Sequence, residues 1–188
     1  MQREHTTPRR YEEWAYVLDS QARARSVTMR GREGIIVTAI GEGRMTLLEI
    51  LGISNSTFEV GEKIYIGKNE REKVQAVLGK ISYSRLSNTA KSELRGVIAK
   101  LVSDNEKRFI EYINQAQPLT PRIHALALIP GVGRTYMEII IEERKKKKFE
   151  SFDELRDRVG FKEPARHIAQ RIVDEITGET RINLFAKK

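Results

Sequence analysis

The sequence predicts an α+β protein in which a small five-stranded β-barrel is followed by a helical connector and a four-helix domain. Two observations predict this order. Short β-rich runs separated by glycines and charged turns fill the first 85 residues, whereas apolar residues recur at helical spacing beyond them. We therefore expect the barrel over residues 8–85, the connector over 86–118, the helical domain over 119–178 and a tail over 179–188.

Five short runs are the predicted strands of the barrel. In the fourth run Ile64 and Ile66 lie on one face, and Lys63 and Tyr65 on the other. Five strands without a helix between them favour a small closed or partly open barrel. An oligonucleotide-binding-like barrel is the preferred interpretation, and an SH3-like barrel is the alternative. The predicted strands cover residues 14–18, 34–40, 45–50, 61–67 and 74–83.

Two amphipathic helices are predicted for the connector. Apolar positions from Leu94 to Val102 mark the first, and the spacing of Ser103 and Glu106 resembles a capping box, which predicts a break before a second helix. The tail alternates over residues 181–185 as a strand does, so we expect it to return to an open edge of the barrel.

The turn at residues 128–133 is the most informative feature of the chain. Pro130 fixes its own φ and disfavours helix at the residue before it. Gly131 and Gly133 permit backbone angles that other residues avoid, while Val132 between them can anchor the turn in a core. The next helix then starts at about Arg134, and its free N–H groups suit a phosphate oxygen. The turn carries no acid, base or metal ligand, so it would hold a backbone without cutting it.

The flanks of this turn predict a helix-hairpin-helix. Thr120 and Pro121 are typical of an N-cap and a first helical position, so a helix is expected to start there. A third helix begins at the capping box that starts with Ser151, and a fourth runs from Pro164 to a stop at Gly178. Residues 159–161 between them look like a degraded second hairpin.

This region resembles the tandem helix-hairpin-helix (SAM-like) modules of DNA repair and recombination proteins, which bind phosphate without reading sequence. The resemblance implies that Gly131, Val132 and Gly133 supply amides and that Arg134 and Thr135 supply side-chain contacts. Segments 81–83, 89–94, 116–118 and 142–147 are similar to an archaeal family of predicted RNA-binding proteins. That resemblance implies an oligonucleotide-binding-like barrel joined to a helix-hairpin-helix domain.

The charge of the chain favours an anionic partner. Its formal net charge is +8 and its pI is about 9.7. Tyr65 beside Lys63 could stack a base, whereas Trp14 and Tyr16 are expected in the core. Two basic clusters are candidate phosphate contacts, or else a solvated helix end and a flexible loop. They are Lys145, Lys146, Lys147 and Lys148 in the first, and Arg23, Arg25, Arg30 and Arg32 in the second.

Several chemistries are not expected. The chain has no cysteine, which excludes disulfides and thiol catalysis. It has no apolar run of the roughly 20 residues needed to span a membrane, and a cytoplasmic location is the default expectation. Its three histidines show no metal-binding spacing. We therefore expect no catalytic residue, no metal and no cofactor.

A non-catalytic nucleic-acid-binding protein is the predicted function. It would contact RNA or DNA largely independently of sequence, with RNA slightly favoured, through the hairpin and a barrel groove together. Two alternatives stay open. The first is a protein-interaction scaffold in a ribosomal or repair assembly. The second, and least favoured, is a phosphodiester enzyme.

Overall fold

The computed structural model describes residues 11–21, 27–29 and 32–187. These residues divide into two compact units. The first unit holds the described residues up to Glu93 together with Lys187, and the second unit holds Leu94–Ala186. The division falls inside the first connector helix, so most of the predicted connector belongs to the second unit.

The first unit is built on a curled antiparallel sheet that forms a half-barrel. Its strands are β1 (Trp14–Gln21), β2 (Val27–Met29), β3 (Arg32–Gly41), β4 (Leu47–Gly52), β5 (Lys63–Tyr65) and β6 (Val74–Lys80). The strand order is β5-β1-β3-β4-β6, with β2 beside β3, and all these neighbours are antiparallel. The five predicted strands are confirmed, and β2 is an addition. In the described part of the chain β5 and β6 end the order and do not pair with each other.

Irregular pairing accompanies the curl of this sheet. The register shifts between Val17 and Asp19 in β1, and twice along the β4–β6 pair. An extra residue on one strand bends it and increases its twist, which suits an open half-barrel better than a flat sheet. One face packs a hydrophobic core whose members include Ala15, Val17, Val37, Ala39, Ile50 and Ile64.

Glu12 organises the turn between β3 and β4. Its carboxylate accepts hydrogen bonds from the N–H groups of Gly43 at 2.7 Å and Arg44 at 2.8 Å, and the residue is 8% exposed. A Cβ at Gly41 would lie 2.2 Å from the Glu12 carboxyl carbon, so a side chain there would displace the carboxylate from these bonds. These bonds direct the Glu12 carboxylate toward the backbone of the turn and away from solvent.

The second unit is mainly helical, and most of its predicted helices are confirmed. A 3-10 turn over Ala125–Leu128 precedes the helix that starts at Gly133. Ser151 caps the helix that starts at Phe152, since its Oγ accepts from the N–H of Glu154 at 3.0 Å. The elements are α1 (Asn88–Asp104), α2 (Glu106–Gln115), β7 (Pro118–Thr120), β8 (Ile123–His124), α3 (Gly133–Lys146), α4 (Phe152–Val159) and α5 (Pro164–Thr177).

The helix predicted from Pro121 is wrong. Thr120 Oγ1 accepts from the N–H groups of Arg122 at 3.3 Å and Ile123 at 3.1 Å, as an N-cap would, but the chain then returns as the hairpin β7–β8. His124 Nδ1 accepts from the N–H of Leu126 at 3.1 Å and caps the 3-10 turn that follows. Since a hairpin and a 3-10 turn stand directly before Pro130 in place of an α-helix, the structure does not show the predicted helix-hairpin-helix domain.

The strand predicted for the tail is also wrong, because residues 179–187 form no strand. The Phe185 ring packs 5.6 Å from that of Phe109 and 4.8 Å from that of Tyr112, measured between centroids. The Glu175 carboxylate accepts the tail N–H groups that a sheet edge would otherwise bind. The N–H of Lys187 donates to the Arg44 carbonyl at 3.0 Å.

Candidate nucleic-acid interface

Residues 129–133, here called the glycine corner, form a tight turn before α3. Gly131 and Gly133 have φ values of 81° and 54°, which strain any other residue. Val132 is 2% exposed and anchors the turn as predicted. Its N–H donates to the Ile129 carbonyl at 3.1 Å, which removes it from the predicted set of phosphate donors. The amides left for a ligand are those of the first turn of α3.

The start of α3 is open to solvent. A Cβ placed at Gly133 would meet nothing within 4 Å. Thr135 is exposed, and the Arg134 side chain is 87% exposed. Arg134 Nε donates to Glu138 Oε1 at 2.9 Å, but an exposed pair of this kind is weak, so a phosphate can replace the carboxylate. The predicted contacts Gly133, Arg134 and Thr135 thus lie together on an accessible surface.

Aromatic packing joins the glycine corner to the turn after α4. A Cβ at Gly131 would lie 2.7 Å from ring atoms of His167, so glycine allows α5 to approach. The His167 ring lies 4.8 Å from the Phe161 ring, and Phe161 lies 5.5 Å from the Tyr136 ring. The Tyr136 hydroxyl donates to the Gly160 carbonyl at 3.4 Å. The two turns are therefore neighbours.

The turn after α4 resembles the glycine corner but is one residue longer, because Lys162 precedes its second left-handed position. Gly160 has a φ of 81°, Phe161 is 3% exposed, Glu163 has a φ of 51°, and α5 begins at Pro164. The same order of left-handed glycine, buried apolar residue and left-handed residue occurs in the glycine corner. At the second turn, however, the Glu163 carboxylate opposes an anion and Pro164 has no N–H to donate. The first corner is the better phosphate site.

A pocket of about 250 Å³ borders the glycine corner. Pro130 contributes to its wall, together with Arg95 of α1, Arg166 of α5 and one acid, Glu163, which pairs with Arg166. Arg95 Nη1 lies 3.4 Å from Gln170 Oε1, and Arg166 Nη1 lies 3.4 Å from a Glu163 carboxylate oxygen. These long contacts leave two guanidinium groups able to turn toward an anion.

Sequence reasoning did not associate Arg95, Arg166 or the half-buried His167 with the glycine corner. Each lies more than thirty positions from the glycine corner. No local pattern marks them, because the tertiary packing of α1 and α5 brings them there. The one usable signal was Gly131, whose missing side chain predicts a close approach by some other element.

The lysine run at the end of α3 is largely paired. The amino groups of Lys145, Lys146 and Lys147 lie 2.8, 2.6 and 3.6 Å from carboxylates of Glu142, Glu143 and Glu150. The bonds from Lys145 and Lys146 lower the pKa values of Glu142 and Glu143. Among the described residues, Lys148 is the member of the run without an ion pair. The first three lysines therefore fit the alternative interpretation, a solvated helix end, and Lys148 remains a candidate phosphate contact.

Lys63 and Tyr65 meet at an aromatic cluster in the first unit. Lys63 Nζ lies 2.9 Å from a Glu42 oxygen and 5.1 Å from the Trp14 ring centroid. The Tyr65 ring packs edge-on against Trp14 at 5.0 Å. Tyr16 is buried as expected, but Trp14 is 40% exposed, so its predicted burial is wrong. It lies at the start of β1, opposite Tyr65 of the end strand β5, where no further strand covers it in the described sheet.

The arginine cluster of the first unit is only partly described. Arg23, Arg25 and Arg30 lie outside the described residues. Arg32 is exposed at the start of β3, opposite Met29 in the β2–β3 register. The predicted groove contact by this cluster therefore stays a prediction.

A family model described as a protein of unknown function, DUF655, matches residues 11–187. The chain belongs to the DUF655 family. Uncharacterized protein MJ0038 from Methanocaldococcus jannaschii is 39% identical over 174 residues, covering 93% of this chain and 78% of that protein. The archaeal family that the sequence resembles is thus confirmed, whereas RNA binding stays a prediction.

A solved structure shares the DUF655 fold. The crystal structure of Af1531 from Archaeoglobus fulgidus, described with the DUF655 family model, matches with a TM-score of 0.81 and 37% identity. The match covers 94% of this chain and 100% of that chain. The half-barrel and helices described above are therefore shared with a crystallographically determined relative.

Over the described ranges, no group of three or more His, Asp or Glu side chains converges as metal ligands. Over the same ranges, no helix has both the length and the apolar character needed to cross a membrane.

Proposed function

We propose that this DUF655-family protein binds the phosphate backbone of nucleic acid, largely independently of sequence and without catalysing a reaction on it, with RNA slightly favoured over DNA. The observation that carries the proposal is the glycine corner. It presents the open first turn of α3 beside Arg134, and it borders a pocket that Arg95 and Arg166 line. Free helix amides and arginines together favour an anion.

Charge and geometry support a polymer with repeated phosphates. The net charge of +8 favours association with a polyanion such as nucleic acid. At the corner itself the donors are backbone amides, the Thr135 hydroxyl and guanidinium groups, which suit phosphate oxygens. Contacts of this kind position a strand without reading its bases, so the proposed binding at the corner is independent of sequence.

We also propose that the second unit acts as a helix-hairpin-helix module and the half-barrel as an oligonucleotide-binding-like domain. The similar order of left-handed and buried residues in the two glycine turns supports the first assignment, and α4 and α5 flank the second turn as two helices would. The curl and the five main strands of the sheet support the other.

Arg134→Glu tests the corner as a phosphate site. We expect the variant to fold normally, since the side chain is 87% exposed, and to bind labelled single-stranded or duplex oligonucleotides at least about tenfold more weakly. Fluorescence anisotropy at several salt concentrations measures this. Loss of one contact also reduces the log–log salt slope by about 0.7 on single strands or about 0.9 on duplex.

Lys100→Glu is the matched control, because it makes the same change of charge at an exposed position of α1. We expect its effect to be much smaller than that of Arg134→Glu. Equal losses in the two variants, or an unchanged affinity in folded Arg134→Glu, would reject the corner as the site. A folded wild-type protein that binds neither RNA nor DNA at low salt would reject the function.

A protein-interaction scaffold is the second candidate, and one observation favours it. Leu119 and Ile123 of the β7–β8 hairpin are 43% and 38% exposed. Exposed apolar side chains on one short hairpin favour a contact surface for another protein. Leu119→Ser with Ile123→Ser would weaken such a contact and leave oligonucleotide affinity unchanged.

A further inference from the structure

A pocket in the first unit, here called the seam pocket, lies between the two end strands of the half-barrel. Its volume is about 400 Å³, within the range of small-ligand sites. Ile66 and Gly67, which follow β5, form one side, and Val77 and Lys80 of β6 form the other. No residue of this pocket belongs to the glycine corner or to the groups predicted from sequence.

The floor of the seam pocket is apolar. Leu48 and Ile66 are 6% and 3% exposed, while Val77 is 37% exposed. A Cβ placed at Gly79 would meet nothing within 4 Å, so the β6 side is unobstructed. Tyr11 also lines the pocket and is 70% exposed. A flat apolar group that covered this floor would release water from it, which is favourable.

The rim of the seam pocket is cationic, with Arg44, Lys68, Arg71 and Lys80 among its lining residues. Arg71 Nε donates to the Gly67 carbonyl at 2.7 Å, which holds that guanidinium at the rim. Lys68 Nζ lies 5.9 Å from the Tyr11 ring centroid. Among the described lining residues Glu12 is the one acid, and its oxygens face the amides of the β3–β4 turn.

We propose that the seam pocket binds an unpaired base of single-stranded nucleic acid, with the flanking phosphates on the cationic rim. This inference rests on the proposed function and names the form of nucleic acid. A nucleic-acid base has a flat face that can pack on the apolar floor. The unpaired side of an end strand offers backbone N–H and C=O groups that can hydrogen-bond the polar atoms of the base. A duplex keeps its bases stacked and cannot fill the floor. An acidic peptide would match the rim and leave the floor uncovered.

An oligonucleotide without bases tests the pocket directly. Oligothymidine and oligouridine dodecamers are compared with an abasic dodecamer of the same charge and with a duplex, using the full chain. We expect the two base-carrying strands to bind at least about tenfold more tightly than the abasic strand, which is the size of one stacked base. Equal affinities for the abasic and base-carrying strands would overturn the pocket and leave backbone binding intact.

Val77→Asp is the variant that addresses the floor, and Val60→Asp is its control, because Val60 is 46% exposed in the same unit and does not line the pocket. We expect Val77→Asp to remove the preference for base-carrying strands while duplex affinity stays unchanged. An equal loss with Val60→Asp, or a preference that survives Val77→Asp, would overturn the inference.

Three outcomes distinguish failure of this inference from failure of the proposed function. A polyglutamate peptide that displaces oligouridine as well as unlabelled oligouridine does would overturn the base pocket. If Arg134→Glu lowers the affinity for all strands while the abasic strand binds as tightly as the others, the glycine corner is supported as a phosphate site and the seam pocket is rejected as a base site. If no strand binds at low salt, both sites are rejected.

Discussion

Arg171 and Glu175 form a buried ion pair one turn apart on α5. Arg171 Nε donates to Glu175 Oε1 at 2.9 Å, and the two side chains are 9% and 0% exposed. Arg171 Nη1 also donates to the Leu128 carbonyl at 3.2 Å, beside the glycine corner. The Glu175 oxygens accept the tail N–H groups of Leu184, Phe185 and Ala186. One buried pair therefore connects the segment before the corner to the tail.

Removing the carboxylate of this pair should be strongly destabilising. Glu175→Ala leaves the Arg171 charge buried without its partner and leaves three tail N–H groups without acceptors. We expect a loss of about 3–5 kcal/mol in the free energy of unfolding. Urea denaturation followed by circular dichroism measures it. Glu142→Ala, which breaks an exposed pair with Lys145, is the control and should leave the midpoint unchanged. Similar midpoints for both variants would contradict the role given to the buried pair.

The two glycines of the corner should differ in their tolerance of alanine. At Gly133 the cost is that of a left-handed backbone, about 1 kcal/mol. At Gly131 a Cβ would also meet the His167 ring at 2.7 Å, so we expect Gly131→Ala to cost more. Thermal denaturation of the two variants gives the order. A Gly133→Ala variant that is the less stable of the two would show that His167 does not support the turn.

His124 should make the second unit sensitive to acid. Burial, and then the positive charge of Arg144, lower the pKa of His124 below its ordinary value. The neutral ring caps the 3-10 turn through Nδ1, which protonation would occupy. The stability that it contributes is complete above the ordinary pKa and is lost as the pH falls through the lowered folded-state pKa. A proton NMR titration should give a depressed midpoint for His124, and His124→Asn should flatten the stability profile between these pKa values. A midpoint at or above the ordinary value would contradict the assignment.

The sequence predicted helix caps and helix ends well, because the interactions involved lie within a single turn of the chain. One of the two bonds of the predicted capping box at Ser151 forms, because Ser151 Oγ accepts from the N–H of Glu154, but the Glu154 carboxylate accepts from the N–H of Glu150 instead of that of Ser151. Gly178 ends α5 with a φ of 84°. Thr120 shows where such reading fails, because its hydroxyl accepts the expected N–H groups and the chain still forms a hairpin. A cap starts a turn, and packing decides whether a helix follows it.

The amino-acid sequence by itself determined the strands of the half-barrel, the main helices and the strained turn at Gly131, since each depends on periodicity or on the backbone freedom of neighbouring residues. Tertiary structure alone decided which distant groups meet. It placed Arg95, Arg166 and His167 around the glycine corner, and it opened the seam pocket between β5 and β6. It also buried Glu175 under the tail. Contacts between residues far apart in the chain depend on how whole elements pack, and no local pattern encodes that packing.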